Sequence, residues 1–315
     1  KSKHYSFSEQ LGFWRQLESY KFDLMIFPHF NAPILYSRPF VVTIHDLTLH
    51  KFPGGKKRDI ISKLAYRLLI HTVVRKAKHC FAVSENTKRD MMKYLKISSE
   101  KITVAYNGVS QRFSPIHDVD RLKKFRIKHQ LPEKYILYTG VFRSHKNIER
   151  LIDAYAMCKK NHSEFQLSLV LAGPHDSAST DIPERIKRYG LEKDIFLTGF
   201  FPEEEMQELY SASTAYIFPS LYEGFGIPPI EAMQCEVPVA CSNTSSLPEV
   251  CGDAVLYFDP YNTKEISEAL FQISNDEKLR KDLVEKGKKQ SQKFSWKDMV
   301  FKMYGVYKRL LNLIS

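Results

Sequence analysis

The chain is short of cysteine, of long apolar runs and of acidic charge, and each shortage excludes something. Its 315 residues include five cysteines, Cys80, Cys158, Cys235, Cys241 and Cys251. An odd number with no Cys-x-x-Cys pair suggests neither a disulfide framework nor a zinc ribbon, and a reducing compartment is the plain expectation. No apolar run approaches the ~18–20 residues that a membrane-spanning helix needs, and no signal peptide opens the chain, so a cytoplasmic protein is expected. Neither a solenoid-type repeat nor a low-complexity segment occurs. Asp+Glu number 36 against Lys+Arg 47, a formal net charge of +11. That balance favours anionic partners without choosing among nucleotide, nucleic acid, phospholipid and phosphorylated substrate. A composition 43% hydrophobic and 26% charged can bury real cores, and the length fits roughly two domains.

Short apolar or β-branched runs recur, each followed by a polar turn and an amphipathic stretch. Four lie in the first third, at Asp23–Phe27, Phe40–Ile44, His79–Val83 and Ile102–Ala105. Six follow, at Tyr135–Thr139, Gln166–Ala172, Ile195–Leu197, Ala215–Phe218, Val237–Cys241 and Ala254–Phe258. Runs apolar throughout suggest strands covered on both faces, and their alternation with helical patterns suggests βαβ units and parallel sheets. The expected fold is α/β, with two Rossmann-like doubly wound domains facing a cleft. A boundary is expected near Asn107–Glu133, where Asn107-Gly108, Pro115 and Leu131-Pro132 punctuate polar sequence. The first domain has fewer strands and begins abruptly at Lys1, so it is expected to lack an opening piece.

Ligands of such folds bind beyond the carboxyl ends of strands. Beyond Ala215–Phe218 the chain reads Pro219-Ser-Leu-Tyr-Glu-Gly-Phe-Gly-Ile-Pro-Pro-Ile-Glu231. Gly224 and Gly226 permit close backbone approach, and amides around Phe225–Ile227 at a helix start suit an anion or a sugar hydroxyl. Glu223 and Glu231, as acceptor-only carboxylates, suit sugar or ribose hydroxyls. Beyond Tyr135–Thr139 comes Gly140-Val-Phe-Arg143-Ser-His-Lys146-Asn147. There a glycine turn leads to a planar guanidinium and a point charge, a pair suited to a diphosphate. Phe40-Val-Val-Thr-Ile ends in His45-Asp46, a further candidate at a strand's carboxyl end.

Taken in order, these segments resemble glycosyltransferase family 4, retaining nucleotide-sugar-dependent enzymes of GT-B fold. The resemblance covers nearly the whole chain. It includes Thr43–Leu47, Val83–Glu85, Tyr106–Val109, Gly140–Asn147, Leu171–Pro174 with Gly173, the E-x7-E block from Glu223 to Glu231, Ser245–Val250 and Phe258–Pro260. It implies an acceptor-side domain over 1–115, completed by a C-terminal helix over 297–315, and a nucleotide-sugar-binding domain over 133–296. By the same resemblance Arg143 and Lys146 bind the donor diphosphate and Glu231 holds the ribose. Glu223, with the amides near Phe225–Ile227, holds the donor sugar, and His45 contacts that sugar from the opposite domain. Gly140, Asn147, Gly173, Gly224 and Gly226 fall in the donor-binding set. No metal or other cofactor is implied, because cations and a helix N-terminus take a metal's part. The expected reaction is retaining transfer of a hexose, mannose from GDP-mannose first and a UDP-hexose next, to a saccharide or lipid-linked acceptor in surface polysaccharide or lipopolysaccharide synthesis.

Growing negative charge on a departing diphosphate rewards preorganised cations. Retention by front-face attack, with the phosphate taking the acceptor's proton, leaves the paired glutamates no part as a glycosidase acid and nucleophile. Two departures stand out. Glu236 occupies a turn where the family has glycine, which strains the turn before Val237, and the family's glycine-rich opening loop has no counterpart here. Asp118-Val-Asp120 matches a metal-site D-x-D but lies in presumed linker and reads as solvated. The basic stretch Lys56–Lys78, amphipathic around Ile60, Ile61, Leu64, Leu68, Leu69 and Val73, reads first as a solvated helix face and second as a peripheral contact with an anionic membrane at its inner face. Alternatives are an epimerase or phosphorylase on the same fold, or a non-catalytic truncated relic. Nucleic acid is not an expected partner, since the basic residues are dispersed.

Overall fold

A computed structural model describes residues 7–52, 60–174 and 181–312. The chain divides into two compact units, Lys1–Gly108 with Trp296–Ser315 and Val109–Ser295. In the first, β1 (Met25–Phe27), β2 (Phe40–Ile44), β3 (His79–Ala82) and β4 (Ile102–Val104) form a parallel sheet in sequential order. All five residues of β2 are buried, as expected of a strand covered on both faces. A sheet that grows in one direction by right-handed crossovers sends its connections to one face. On that face Ile70, Val73 and Val74 of the helix Ile60–Lys76 share a core with Val42, Ile44, Cys80 and Ala82. The other face carries Val41, Phe81 and Ala105, and it is covered by Met303 and Val306 of the helix Trp296–Leu310, which returns from the far end of the chain. Burial of each such side chain is worth about 1.5–3 kcal/mol.

The apolar stripe of Ile60–Lys76 is not all turned inward. Leu64 and Leu68 are 67% and 62% exposed, while Ile70, Val73 and Val74 carry the core contacts. Lys56, Lys57 and Arg58 lie outside the described residues.

The second unit holds six parallel strands: β5 (Tyr135–Thr139), β6 (Ser168–Ala172), β7 (Ile195–Gly199), β8 (Ala215–Phe218), β9 (Val239–Ser242) and β10 (Val255–Phe258). Their order is β10-β9-β8-β5-β6-β7. The chain builds outward from β5 to β7, then returns to the other side of β5 for β8. The reversal lies between β5 and β8, where Ile136 is opposite Ala215 and Leu137 opposite Tyr216. This is the switch point at which open α/β sheets bind ligands, because the two loops leaving it diverge and open a crevice. From Val109 on, the residues read as linker are part of this unit. They include the helix Val119–Lys128, which buries Phe125 and is capped by Asp118 accepting from the Arg121 N–H at 2.9 Å. Asp118 of the D-x-D is therefore a helix cap.

Candidate functional site at the sheet switch point

The loops after β5 and β8 are joined at several levels. At their base the backbone N–H of Leu221 donates to the His145 carbonyl at 2.8 Å. Asn147, in a left-handed conformation (φ 62°), starts the helix Ile148–Asn161. Its side-chain amide donates to the carbonyls of Pro219 (3.1 Å) and Pro260 (2.8 Å), tying three strand-end loops together. Arg150 donates to Asn147 Oδ1 at 2.6 Å and holds that side-chain amide in register. Asn147 is thus a buried brace.

Above the brace, Lys146 Nζ lies 2.6 Å from Glu223 Oε1, and both side chains are largely covered, at 19% and 13% exposure. Lys146 also sits over the Phe218 ring, 5.5 Å from its centre. Arg143, at the start of the short turn Ser144–Lys146, is exposed. The Glu223 loop is held from behind by β9's exit. Glu223 N–H donates to Ser245 Oγ at 3.0 Å, and Ser246 Oγ donates to the carbonyls of Glu223 and Phe225 at 3.1 and 2.9 Å. Phe225 packs edge-on against Phe294, 5.3 Å between ring centres. Gly226 (φ 97°) precedes the helix Ile227–Gln234, and a β-carbon there would lie 2.6 Å from Leu247 Cδ2. Gly224 is buried in the same loop.

Gly140 and Gly173, at the ends of β5 and β6, both take φ values closed to most side chains, 140° and 152°. Gly140 N–H donates to the Ala172 carbonyl at 2.9 Å, and Gly173 N–H to the Gly199 carbonyl at 2.8 Å. Beyond Pro174 the next residues are outside the described set.

Glu231 lies in the second turn of Ile227–Gln234 and accepts from the Tyr210 hydroxyl at 2.9 Å. Burial raises its carboxyl above the ordinary carboxylate range, opposed by the Tyr210 hydrogen bond and by Arg112.

His45 belongs to the first unit, at the carboxyl end of β2. It is exposed, and its Nε2 is 2.9 Å from the Pro28 carbonyl. A carbonyl oxygen only accepts, so Nε2 carries the proton. Asp46 accepts from Thr48 N–H at 2.8 Å. A second imidazole, missed in the sequence, stands beside it. His29, just beyond β1, has its ring centre 6.3 Å from that of His45. Its pKa is lowered by burial first and by His45 second. The strand-then-Pro-His spelling Phe27-Pro28-His29 was the available signal.

Two family models match the chain. The one described as Glycosyl transferases group 1 covers residues 120–290, and the one described as Glycosyltransferase Family 4 covers residues 1–112. The chain belongs to this glycosyltransferase family. Among similar curated proteins, the O-antigen chain mannosyltransferase B of Escherichia coli is 30% identical across 93% of this chain and 76% of its own length. The serotype-specific mannosyltransferase WbdA of the same species is 31% identical over 75% of this chain, which spans only 29% of that longer protein. The fold of this glycosyltransferase is GT-B, shared with solved structures. One is HepE of Anabaena in complex with UDP and glucose, with TM-score 0.79, 20% identity, and coverage of 97% of this chain and 83% of that one. Another is sucrose-phosphate synthase of Thermosynechococcus elongatus, with TM-score 0.78, 21% identity, and coverage of 97% and 78%.

Proposed function

We propose that this glycosyltransferase moves a hexose, mannose first, from a nucleotide-diphospho-sugar to a saccharide or lipid-linked acceptor with retention, in surface polysaccharide or lipopolysaccharide assembly. The observation that carries this reading is the Lys146–Glu223 pair, braced over the carboxyl ends of β5 and β8. In this reading Lys146 and Arg143 bind the diphosphate. Their charge is worth more as the sugar–phosphate bond breaks and the leaving group gains negative charge, so they act on the transition state more than on the bound donor. Glu223 accepts hydroxyls of the donor sugar and keeps Lys146 in place until phosphate arrives. The backbone around Phe225–Ile227 serves oxygen atoms of the donor, since the Phe225 side chain is committed to Phe294. Glu231 accepts the ribose hydroxyls. Gly140, Gly173, Gly224 and Gly226 let the backbone approach, and Asn147 holds the loops. His45 is proposed to assist transfer from its own unit, with Nε2 as the protonated nitrogen.

The mannosyltransferase names of the curated relatives support mannose as the sugar, and the UDP-bound neighbour keeps a UDP-hexose in view. Transfer is proposed to need no metal. The test is a purified enzyme given GDP-mannose or UDP-glucose with an acceptor oligosaccharide and a chelator, followed by nucleoside diphosphate release and product NMR. Release without metal and an axial linkage from an α-donor are expected. Sugar interconversion without acceptor would favour the epimerase reading instead.

A peripheral membrane contact is proposed for the first unit. Leu64 and Leu68 lie exposed beside Lys63 and Arg67 on one helix, a composition suited to an anionic bilayer surface. No helix among the described residues is long and apolar enough to cross a membrane. Co-sedimentation with phosphatidylglycerol vesicles, lost in the Leu64→Glu/Leu68→Glu variant, checks it.

A further inference from the structure

Four side chains from separate parts of the second unit meet in one line beneath the switch point. Tyr216 Oη lies 2.9 Å from Thr139 Oγ1, Thr139 Oγ1 lies 3.0 Å from Tyr210 Oη, and Tyr210 Oη lies 2.9 Å from Glu231 Oε2. Tyr210 and Tyr216 are completely buried and Thr139 nearly so. Each hydroxyl has one hydrogen to give, and an ionised carboxylate can only accept. The directions therefore follow from the end of the line. Tyr210 donates to Glu231, so Thr139 must donate to Tyr210 and Tyr216 to Thr139. Every donor points toward the carboxylate, and such aligned chains reinforce one another in a dry interior.

We propose that the Tyr216–Thr139–Tyr210 chain is a positioning device that sets Glu231 as an ionised, single-orientation acceptor for the donor nucleotide's ribose. Tyr210 takes Oε2, so a ribose hydroxyl is accepted by Oε1. The inference rests on the reading of Glu231 as the ribose group and names what holds that group in one orientation. Tyr210 is a positioning residue, since it acts through Glu231. The other charged or titratable groups acting on Glu231 are Arg112, which favours the anion, and Glu203, which opposes it; Cys235 lies close enough to feel its charge.

The test is calorimetric titration of GDP and UDP into the wild-type chain, Tyr210→Phe, Glu231→Gln and the double variant, at several pH values. Thr139→Val is a second probe of the same line should Tyr210→Phe fold poorly. Tyr210→Phe is expected to weaken binding of the preferred nucleotide about tenfold, the scale of a lost hydrogen bond to a charged group. Turnover at saturating donor should change little. The loss should vanish in the Glu231→Gln background. With the hydroxyl gone, the Glu231 anion loses a stabilising donor, so the acid-side fall in binding should move to higher pH. A packing role for Tyr210 alone would not move that limb. Losses that multiply in the double variant, or a Tyr210→Phe chain that binds as wild type while Glu231→Gln is weakened, overturn the proposal. If Glu231→Gln itself binds both nucleotides normally, the ribose reading fails and this inference falls with it.

Discussion

A β-carbon placed on Gly173 would lie 2.0 Å from the carbonyl oxygen of Gly140. The loop after β5 and the end of β6 are thus in backbone-to-backbone contact at the lip of the crevice, and no side chain can be inserted between them. Lys146 hangs from the same loop, so the spacing of two glycines sets where its ammonium stands.

Gly173→Ala should accordingly destabilise the chain by roughly 3 kcal/mol or more, since both partners in the clash are main chain. Gly199→Ala is the control. Its φ of 67° is unfavourable, but nothing lies within 4 Å of the added carbon, so a loss of about 1–2 kcal/mol is expected. Urea unfolding of the two variants checks the contrast.

Lys146→Ala should lower kcat by about 10²- to 10³-fold, the range found when one preorganised charge-stabilising group is removed. Glu223→Gln should be harmful too, but the double variant should lose less than the product of the two, because the pair is a single electrostatic unit. Steady-state kinetics on all three decides it. Near-normal turnover in Lys146→Ala would remove its assigned role.

For Glu231 the sign of the pH effect can be worked out. Its carboxyl is raised in the folded chain, first by burial. Between the unfolded value and the higher folded one, the folded chain holds a proton that the unfolded chain has released. Stability therefore falls as pH rises through that window and recovers as pH falls through it. Glu231→Gln should raise the melting temperature near neutral pH, with the advantage shrinking in acid, while nucleotide affinity drops. Thermal melts from acid to neutral pH, beside calorimetric titration, measure both halves.

Glu236 closes the helix Ile227–Gln234 with φ 59°. Val237 N–H donates to the Ala232 carbonyl at 2.9 Å and Glu236 N–H to that of Met233 at 3.0 Å, the paired bonds of a Schellman ending that favours glycine at this position. Its ion pair with Lys288 is half-exposed and worth little. Glu236→Gly should stabilise the chain by about 0.5–1 kcal/mol, readable as a higher urea midpoint.

Much of this architecture was legible because parallel strands are spelled locally. The runs at Phe40–Ile44, Tyr135–Thr139 and Ala215–Phe218 coincide with strands, and the left-handed strain at Glu236 follows from its place after a helix. The loops bearing Lys146 and Glu223 were legible for the same reason. What brings partners together across long sequence separations was not. Tyr210, Tyr216 and Thr139 look like unremarkable positions until β5 and β8 become neighbours and the line to Glu231 closes, since hydroxyl pairing depends on strand order and not on local spelling. Which apolar residues of Ile60–Lys76 the sheet covers was not legible on similar grounds. An apolar stripe records that a helix has a face, not how much of that face the sheet beneath it reaches.

The return of Trp296–Leu310 to the first sheet carries a consequence for biosynthesis. Val109–Ser295 is one uninterrupted stretch, so its six strands can assemble without the helix Trp296–Leu310. The strands made earlier cannot. Val41, Phe81 and Ala105 stay without their cover until Met303 and Val306 emerge, so the unit translated first is the last to close. Nascent chains stalled before residue 296 should present that greasy sheet surface to chaperones.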